Sequence, residues 1–193
     1  MSYQVRGPKG RLILRGPIAR VRGALPGLVR RFGRVVVSHV PDVVLPPRQR
    51  IVKWARWGVA NTAAIHYTES PARAAWLTAS PRNRLPLSTD CSGFATLCYF
   101  LAGAPDPNGR GYDGRGWTGT LLESMENIDR GAVLAGDVVV WGEYPGHHCA
   151  VVLEPGDDPV LCSHGQERGP LEIRFSTESR YQPSEVTWLS SLA

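Results

Sequence analysis

The chain has 193 residues, 42% of them hydrophobic, and carries a formal net charge of +5. This length suffices for one domain with its own hydrophobic core and an appended segment. No apolar run is long enough to cross a bilayer, and four cysteines are too few for a cystine-rich scaffold. The composition therefore excludes a membrane-spanning helix and a disulfide framework.

Charge is distributed unevenly along the chain. Residues 1–56 contain 13 of the 22 Lys and Arg residues but only one of the 17 acidic residues, Asp42. The sequence therefore predicts a basic Arg/Gly/Pro-rich arm and linker over residues 1–47, followed by a mildly acidic domain over residues 48–193. Arginines interrupt the apolar runs near the N-terminus, so we expect no secretory signal peptide.

The basic arm divides into two parts. Residues 1–16 are rich in Gly, Pro and Arg, which predicts an irregular, mobile segment. From Ile18 to Val36, apolar residues recur at helical spacing with arginines largely between them, which predicts a basic amphipathic helix. Two interpretations stay open for this arm. It contacts an anionic surface such as a membrane or wall polymer, or it is simply a solvated arm or one packed on the domain. No nucleic-acid motif or aromatic interleaving supports a specific nucleic-acid partner.

The remainder of the chain predicts helices first and strands afterwards, which is the order of an α+β fold. Residues 50–67 have apolar positions at roughly helical spacing, and a second helix is expected near residues 71–78. Residues 105–119 are so rich in Gly, Pro, Asn and Asp that they predict a loop. Apolar, strand-like runs then occur at 136–141, 147–153, 160–165, 171–175 and 186–189.

Cys91 is the first candidate for chemistry, because it immediately precedes a predicted helix. The apolar residues at 94, 97, 98 and 101 have helical spacing, so Cys91 is expected at or beside a helix N-terminus. Unpaired N–H groups and the positive end of the helix dipole favour a thiolate there, and the thiolate is the nucleophilic form of cysteine. Cys98 falls on the apolar face of the same helix and is predicted to be a core residue.

A cysteine nucleophile needs a base and a group that orients the base, and two histidines supply them. If the hairpin of residues 147–165 pairs symmetrically about Gly156, His148 lies opposite His164 on one face of the sheet. The same register places Cys149 and Cys162 on opposite faces. His147 competes with His148 at this stage, since both faces of the strand are apolar.

The order of these segments resembles that of the NlpC-type family of papain-like cell-wall peptidases. The resemblance covers roughly residues 50 to 170. It rests on Asp90-Cys91-Ser92-Gly93-Phe94, Gly136-Asp137-Val138-Val139-Val140, His148-Cys149-Ala150-Val151-Val152 and Ser163-His164. It implies an α+β, papain-like fold in which N-terminal helices, including the helix that begins with the nucleophile, pack on a small antiparallel sheet.

By this resemblance Cys91 is the nucleophile, His148 the base and His164 the orienting residue. The choice of His148 over His147 rests on the family pattern, in which the histidine stands two residues before an alanine. Gln166 has the same parity as His164 and stays open as an alternative orienting group.

The resemblance also implies residues that contact the substrate. Asp90 and Ser92 would meet a free amine or polar end of a stem peptide, unless Asp90 simply caps the helix. The family's Tyr-x-x-Gly-Gly segment before the cysteine has no clear counterpart, and Tyr67 is the candidate stand-in. Trp117, in the predicted loop, is a candidate for flanking the cleft.

The implied function is hydrolysis of an amide bond in peptidoglycan stem peptides, between D-glutamate and a diamino acid, with no metal or organic cofactor. A zinc site is disfavoured because the His and Cys residues lack paired-ligand spacing. Without a signal peptide, the expected setting is a phage lysin held in the host cytoplasm until release, or a virion-associated wall hydrolase. The alternatives are an amidase that cuts the muramoyl–L-alanine bond and a non-catalytic phage structural or wall-binding protein.

Overall fold

The computed structural model of the protein describes residues 2–40, 45–165 and 168–192. It contains two compact units, Met1–Leu45 and Pro46–Ala193. None of the described helices is both long enough and apolar enough to span a membrane.

The first unit is a three-stranded antiparallel sheet with one helix packed against it. Its elements are β1 (Ser2–Arg6), β2 (Leu12–Pro17), α1 (Ile18–Phe32) and β3 (Val36–Val40), with the sheet order β2-β1-β3. The prediction of an irregular segment over residues 1–16 is therefore wrong for residues 2–16. The pairing of β1 with β3, about 30 or more residues later in the chain, stabilises extended structure that the local Gly and Pro content does not predict.

The second unit has the predicted α+β fold, with helices and a mainly antiparallel sheet. The helices are α2 (Pro47–Ala60), α3 (Cys91–Ala102), α4 (Thr118–Ser124) and α5 (Phe175–Tyr181). The strands are β4 (Ile65–Tyr67), β5 (Leu87–Thr89), β6 (Glu126–Asn127), β7 (Val138–Trp141), β8 (His148–Glu154), β9 (Val160–Gly165), β10 (Arg168–Arg174) and β11 (Val186–Ser190). Six of these strands pair in the order β10-β9-β8-β7-β11-β6, and β4 and β5 form a separate parallel pair.

The helix predicted over residues 50–67 is shorter than expected. It ends at Ala60, and Asn61 donates its side-chain amide to the carbonyl of Trp57 in the last turn. The chain then turns through a short 3-10 helix into β4, which runs parallel to β5 and leads into α3. This route brings Tyr67 and Thr89 to neighbouring positions just before Cys91.

Side chains on the two faces of the main sheet belong to two separate cores. One face packs on α2 and α3 and contributes Val138, Val140, Cys149, Val151 and Cys162 to the larger core. The other face contributes Val139, Trp141, Ala150 and Val152 to a smaller core that includes Phe175 of α5. Cys98 is buried in the larger core, as the sequence predicts.

The register of the β8–β9 hairpin differs by one residue from the predicted pairing about Gly156. Ala150 pairs with Ser163 and Val151 with Cys162, and a register irregularity lies between Val152 and Glu154. A bulge inserts one extra residue into one strand, which hydrophobic alternation does not reveal when both faces are buried.

This slip reverses two predictions about the hairpin. Cys149 and Cys162 share the face that packs on α3, although both are free thiols. His148 and His164 lie on opposite faces, so the prediction that the two imidazoles face each other is wrong.

Candidate active site

Cys91 is the first residue of α3, which confirms its predicted place at a helix N-terminus. Asp90 is the N-cap residue, and its Oδ1 accepts a hydrogen bond from the Gly93 N–H at 2.6 Å. Gly93 has no room for a side chain, because a Cβ there would lie 2.4 Å from Thr89 Oγ1. Asp90 therefore caps α3, and Gly93 allows the first turn of this helix to pack closely against Thr89 of the preceding strand.

The Cys91 thiol lies close enough to the side chains of Cys149 and His148 for both to act on its pKa. Cys149 points from β8 toward α3, and His148 is the first residue of the same strand. His148 is 5% exposed, and its ring packs against Trp141 with 5.5 Å between centroids. The structure thus brings the predicted nucleophile and base together in a nearly dry environment.

The pKa values of Cys91 and His148 shift in opposite directions. The hydrogen bond from Cys149, together with the hydrogen bond and charge of His148, lowers the pKa of Cys91 to about 5 against the opposing effect of burial. Burial opposes protonation of His148, yet hydrogen bonds to the Cys91 thiolate and to Glu178 raise its pKa to about 9. These opposite shifts favour a thiolate and an imidazolium over the neutral pair near neutral pH.

The Nε2 atom of His148 meets two groups that the sequence analysis does not identify as its partners. It lies 2.9 Å from Ser163 Oγ and 3.0 Å from Glu178 Oε1. Ser163 in turn donates its hydroxyl proton to Glu178 Oε1 at 2.9 Å. Glu178 comes from α5 and is 7% exposed, so this buried carboxylate can orient and charge-stabilise the imidazole.

Only a weak signal in the sequence points to Glu178. It stands three residues after Phe175, and both side chains are buried on the same side of α5. An acidic residue at a helical core position indicates a buried carboxylate, but not its partner.

His164 occupies a different place from the predicted one. Its Nε2 lies 3.0 Å from the carbonyl oxygen of Thr89, and its ring packs edge-on against Tyr67 and Phe94. The assignment of His164 as the orienting residue is therefore corrected in favour of Ser163 and Glu178, which meet His148 on its own face. The alternative, Gln166, lies outside the described residues.

The neighbouring His147 is exposed, and its Nε2 lies 3.1 Å from Gln182 Oε1. The structure therefore distinguishes the two histidines: His148 is buried and acts on the pKa of Cys91, whereas His147 is exposed on the surface.

Of the predicted substrate contacts, Asp90 and Ser92 belong to one polar cluster at the start of α3. The Ser92 hydroxyl donates to Asp90 Oδ1 at 3.0 Å, and the guanidinium of Arg73 lies 2.8 Å from Asp90 Oδ2. Arg73 also donates to the carbonyl of Gly116 at 2.6 Å, next to Trp117. Nothing in the local sequence around Arg73 indicates this ion pair, whose partner is 17 residues away.

The two aromatic candidates border the site differently. Tyr67 donates its hydroxyl to Glu69 Oε1 at 3.0 Å, and burial and the nearby Cys91 thiolate raise its pKa. Trp117 caps α4 and is 41% exposed, so its ring can meet a ligand.

Within residues 2–40, 45–165 and 168–192, no group of three His, Cys, Asp or Glu side chains is placed to hold a metal ion.

No family model matches the chain, and no curated protein matches it. Several solved structures are similar in fold. The NlpC/p60 domain of the peptidoglycan hydrolase SagA is 19% identical with a TM-score of 0.47, over 74% of this chain and 97% of that chain. An NlpC/p60 family protein from Bacillus cereus is 14% identical with a TM-score of 0.49, over 83% of this chain and 46% of that one.

RipD from Mycobacterium tuberculosis, described as a non-catalytic NlpC/p60 domain protein adapted to peptidoglycan binding, is 14% identical. Its TM-score is 0.47, over 77% of this chain and 99% of that chain. The structural neighbours of this chain are thus NlpC/p60 domain proteins, while the catalytic roles of Cys91 and His148 stay predictions.

The Cys91–His148 pair predicts an unusually acidic thiol. The rate of alkylation of the native protein by iodoacetamide should rise with a midpoint near pH 5, because Cys91 loses its proton there. In His148→Ala the midpoint should rise, because the hydrogen bond and charge of His148 are lost while the hydrogen bond from Cys149 stays. Cys91→Ala serves as the control for labelling elsewhere, and a wild-type midpoint at about 8.5, the ordinary value of a cysteine, would contradict the ion pair.

The corrected orienting group predicts an asymmetric effect of two substitutions on hydrolysis. Glu178→Gln should lower kcat/KM on the order of 10²-fold or more, because the imidazolium loses its charged partner. It should also lower the upper pKa of the pH–rate profile below the value of about 9 that His148 has in the wild type. His164→Asn is the matched comparison, and a larger loss in His164→Asn than in Glu178→Gln would restore His164 as the orienting residue.

Proposed function

We propose that this chain is a cysteine hydrolase that cleaves an amide bond in peptidoglycan stem peptides. The observation that carries the proposal is the Cys91–His148 pair at the N-terminus of α3, with Ser163 and Glu178 behind the imidazole. A buried thiolate beside an imidazolium is suited to nucleophilic acyl transfer. Burying two charges has a desolvation cost that packing alone would not require.

In the first half of the reaction, the Cys91 thiolate attacks the amide carbonyl carbon and the electron pair of the C=O bond moves onto the carbonyl oxygen. The Gly93 N–H is engaged by Asp90 Oδ1 and the Phe94 N–H by the Asp90 carbonyl. We assign the N–H of Cys91 itself as a backbone donor for the oxyanion, aided by the positive end of α3.

The imidazolium of His148 then gives its proton to the leaving amine, and the C–N bond breaks to leave a thioester on Cys91. In the second half, neutral His148 takes a proton from water, whose oxygen attacks the thioester carbonyl carbon. The C–S bond then breaks, which releases the carboxylic acid and returns Cys91 to the thiolate beside the His148 imidazolium. Glu178 and Ser163 hold the ring in place through both transfers and stabilise it while it is charged.

The substrate class rests on the ordered segments that resemble the NlpC-type peptidases, from Asp90-Cys91-Ser92-Gly93 to Ser163-His164. We propose the bond between D-glutamate and the diamino acid as the one that is cut. A phage lysin or a virion-associated wall hydrolase is the biological setting that we infer.

Mass spectrometry of purified peptidoglycan, incubated with the wild type and with Cys91→Ala, tests this function. New stem-peptide fragments should come from the wild type alone, and their masses identify the bond. Fragments that begin at L-alanine would instead identify a muramoyl–L-alanine amidase. If the wild type sediments with the wall material but releases no fragments from it, the chain is a non-catalytic binding protein and the proposed hydrolase is contradicted.

The first unit provides a surface for an anionic partner. Residues 2–40 contain nine Lys and Arg residues and no acidic residue. Leu12, Val29, Val36 and Val37 are 40–55% exposed on the same unit. Exposed apolar side chains among cations are typical of segments that lie on anionic membranes, so we propose a membrane surface as the partner of this unit.

Removing charge from α1 should weaken this interaction. Arg20, Arg22 and Arg30 are exposed, and changing all three to Gln should reduce the affinity for vesicles containing anionic lipid on the order of 100-fold at low salt. The control changes Arg84, Arg115 and Arg180 of the second unit, which are also exposed, to Gln. Equal affinity of both variants and the wild type for the vesicles would contradict the proposed membrane-binding surface. Tighter binding to wall polymer than to vesicles would identify the wall, and not the membrane, as the partner of this unit.

A further inference from the structure

We propose that Arg73 determines which form of the stem peptide enters the site: it selects peptides whose amino terminus is acylated and rejects a free ammonium group. This inference rests on the proposed peptidoglycan hydrolysis and specifies its substrate. It also assigns a role to an arginine outside the Cys91–His148 pair.

The first step is that both oxygens of the Asp90 carboxylate already have donors. Oδ1 accepts from the Gly93 N–H at 2.6 Å and from the Ser92 hydroxyl at 3.0 Å. Oδ2 accepts from the Arg73 guanidinium at 2.8 Å. The side chains of Arg73 and Asp90 are only 17% and 12% exposed, so water screens this ion pair weakly.

The second step is that Arg73 is fixed between Asp90, the residue before Cys91, and the loop that precedes α4. Its other terminal nitrogen donates to the Gly116 carbonyl at 2.6 Å. Trp117, the next residue, is a half-exposed ring at the start of α4. The guanidinium therefore connects the residue before Cys91 to the loop that carries an exposed aromatic side chain.

The third step is electrostatic. A free ammonium group that reached Asp90 would have to displace Arg73 from Oδ2 or lie beside its guanidinium, and like charges side by side are unfavourable. An uncharged acyl group meets no such repulsion, and its carbonyl oxygen can accept a hydrogen bond from a guanidinium. The expectation that Asp90 and Ser92 bind a free amine is therefore replaced by recognition of an amide-linked amino terminus.

This selection gives the reaction a place in the breakdown of the wall. A stem peptide still joined to the glycan through its amino terminus is acylated, whereas an amidase that releases the stem leaves a free ammonium group. The protein is thus suited to act on intact wall material, ahead of any reaction that detaches the stem peptides.

Two synthetic stem peptides of identical sequence test this inference, one with an N-acetylated and one with a free amino terminus. The wild type should cleave the acetylated peptide with a kcat/KM higher by about tenfold or more. Arg73→Gln should reduce this ratio toward or below one, because the Asp90 charge becomes available to the ammonium group. Arg73→Lys keeps the charge and should keep the preference.

Arg115→Gln is the matched control, since it removes an exposed charge from the loop that Arg73 contacts through Gly116, and its ratio should equal that of the wild type. A wild-type preference for the free-amine peptide, measurable without any variant, would overturn the inference while leaving the hydrolase intact. A ratio that Arg73→Gln does not change would also overturn it. If neither peptide nor purified wall is cleaved, the proposed function fails and this inference fails with it.

Discussion

A buried cysteine–histidine pair is the constraint on which the rest of the second unit depends. Cys91 and His148 are 7% and 5% exposed, so the thiolate and imidazolium that their shifted pKa values favour would have little contact with water. Charge separation at such a site requires partners for each ion. The thiolate has the Cys149 thiol and the N-terminus of α3, and the imidazolium has Ser163 and Glu178.

The sheet positions these partners by dividing them between its two faces. Cys149 projects toward α3, while Ser163 lies on the face covered by α5, which supplies Glu178. His148, at the start of β8, is the residue that bonds to groups from both sides. Side chains alternate along β8, so Cys149 faces α3 while His148, the residue before it, reaches Ser163 and Glu178. A one-residue change in register would separate them.

The residues before Cys91 connect the proposed nucleophile to the proposed substrate selection. Asp90 caps α3 and at the same time pairs with Arg73, which bonds to the loop before Trp117. His164, on the other side, packs between Tyr67 and Phe94 and bonds to the Thr89 carbonyl. This position supports the strand that leads into Cys91, so His164 stabilises the segment before the nucleophile instead of orienting the imidazole of His148.

Local sequence was sufficient for the features that depend on neighbouring residues: the helix that begins at Cys91, the strand that begins with His148, and the order of helices before strands. Periodicity and capping act over a few residues, so they can be recognised without a fold. The β8–β9 register, the approach of Glu178 to His148 and the pairing of Arg73 with Asp90 were decided only by tertiary structure. Each of these features depends on a bulge or on the packing of elements 15 or more residues apart. Both faces of the sheet are buried, so the sequence shows no alternation of apolar and polar residues from which the strand register could be predicted.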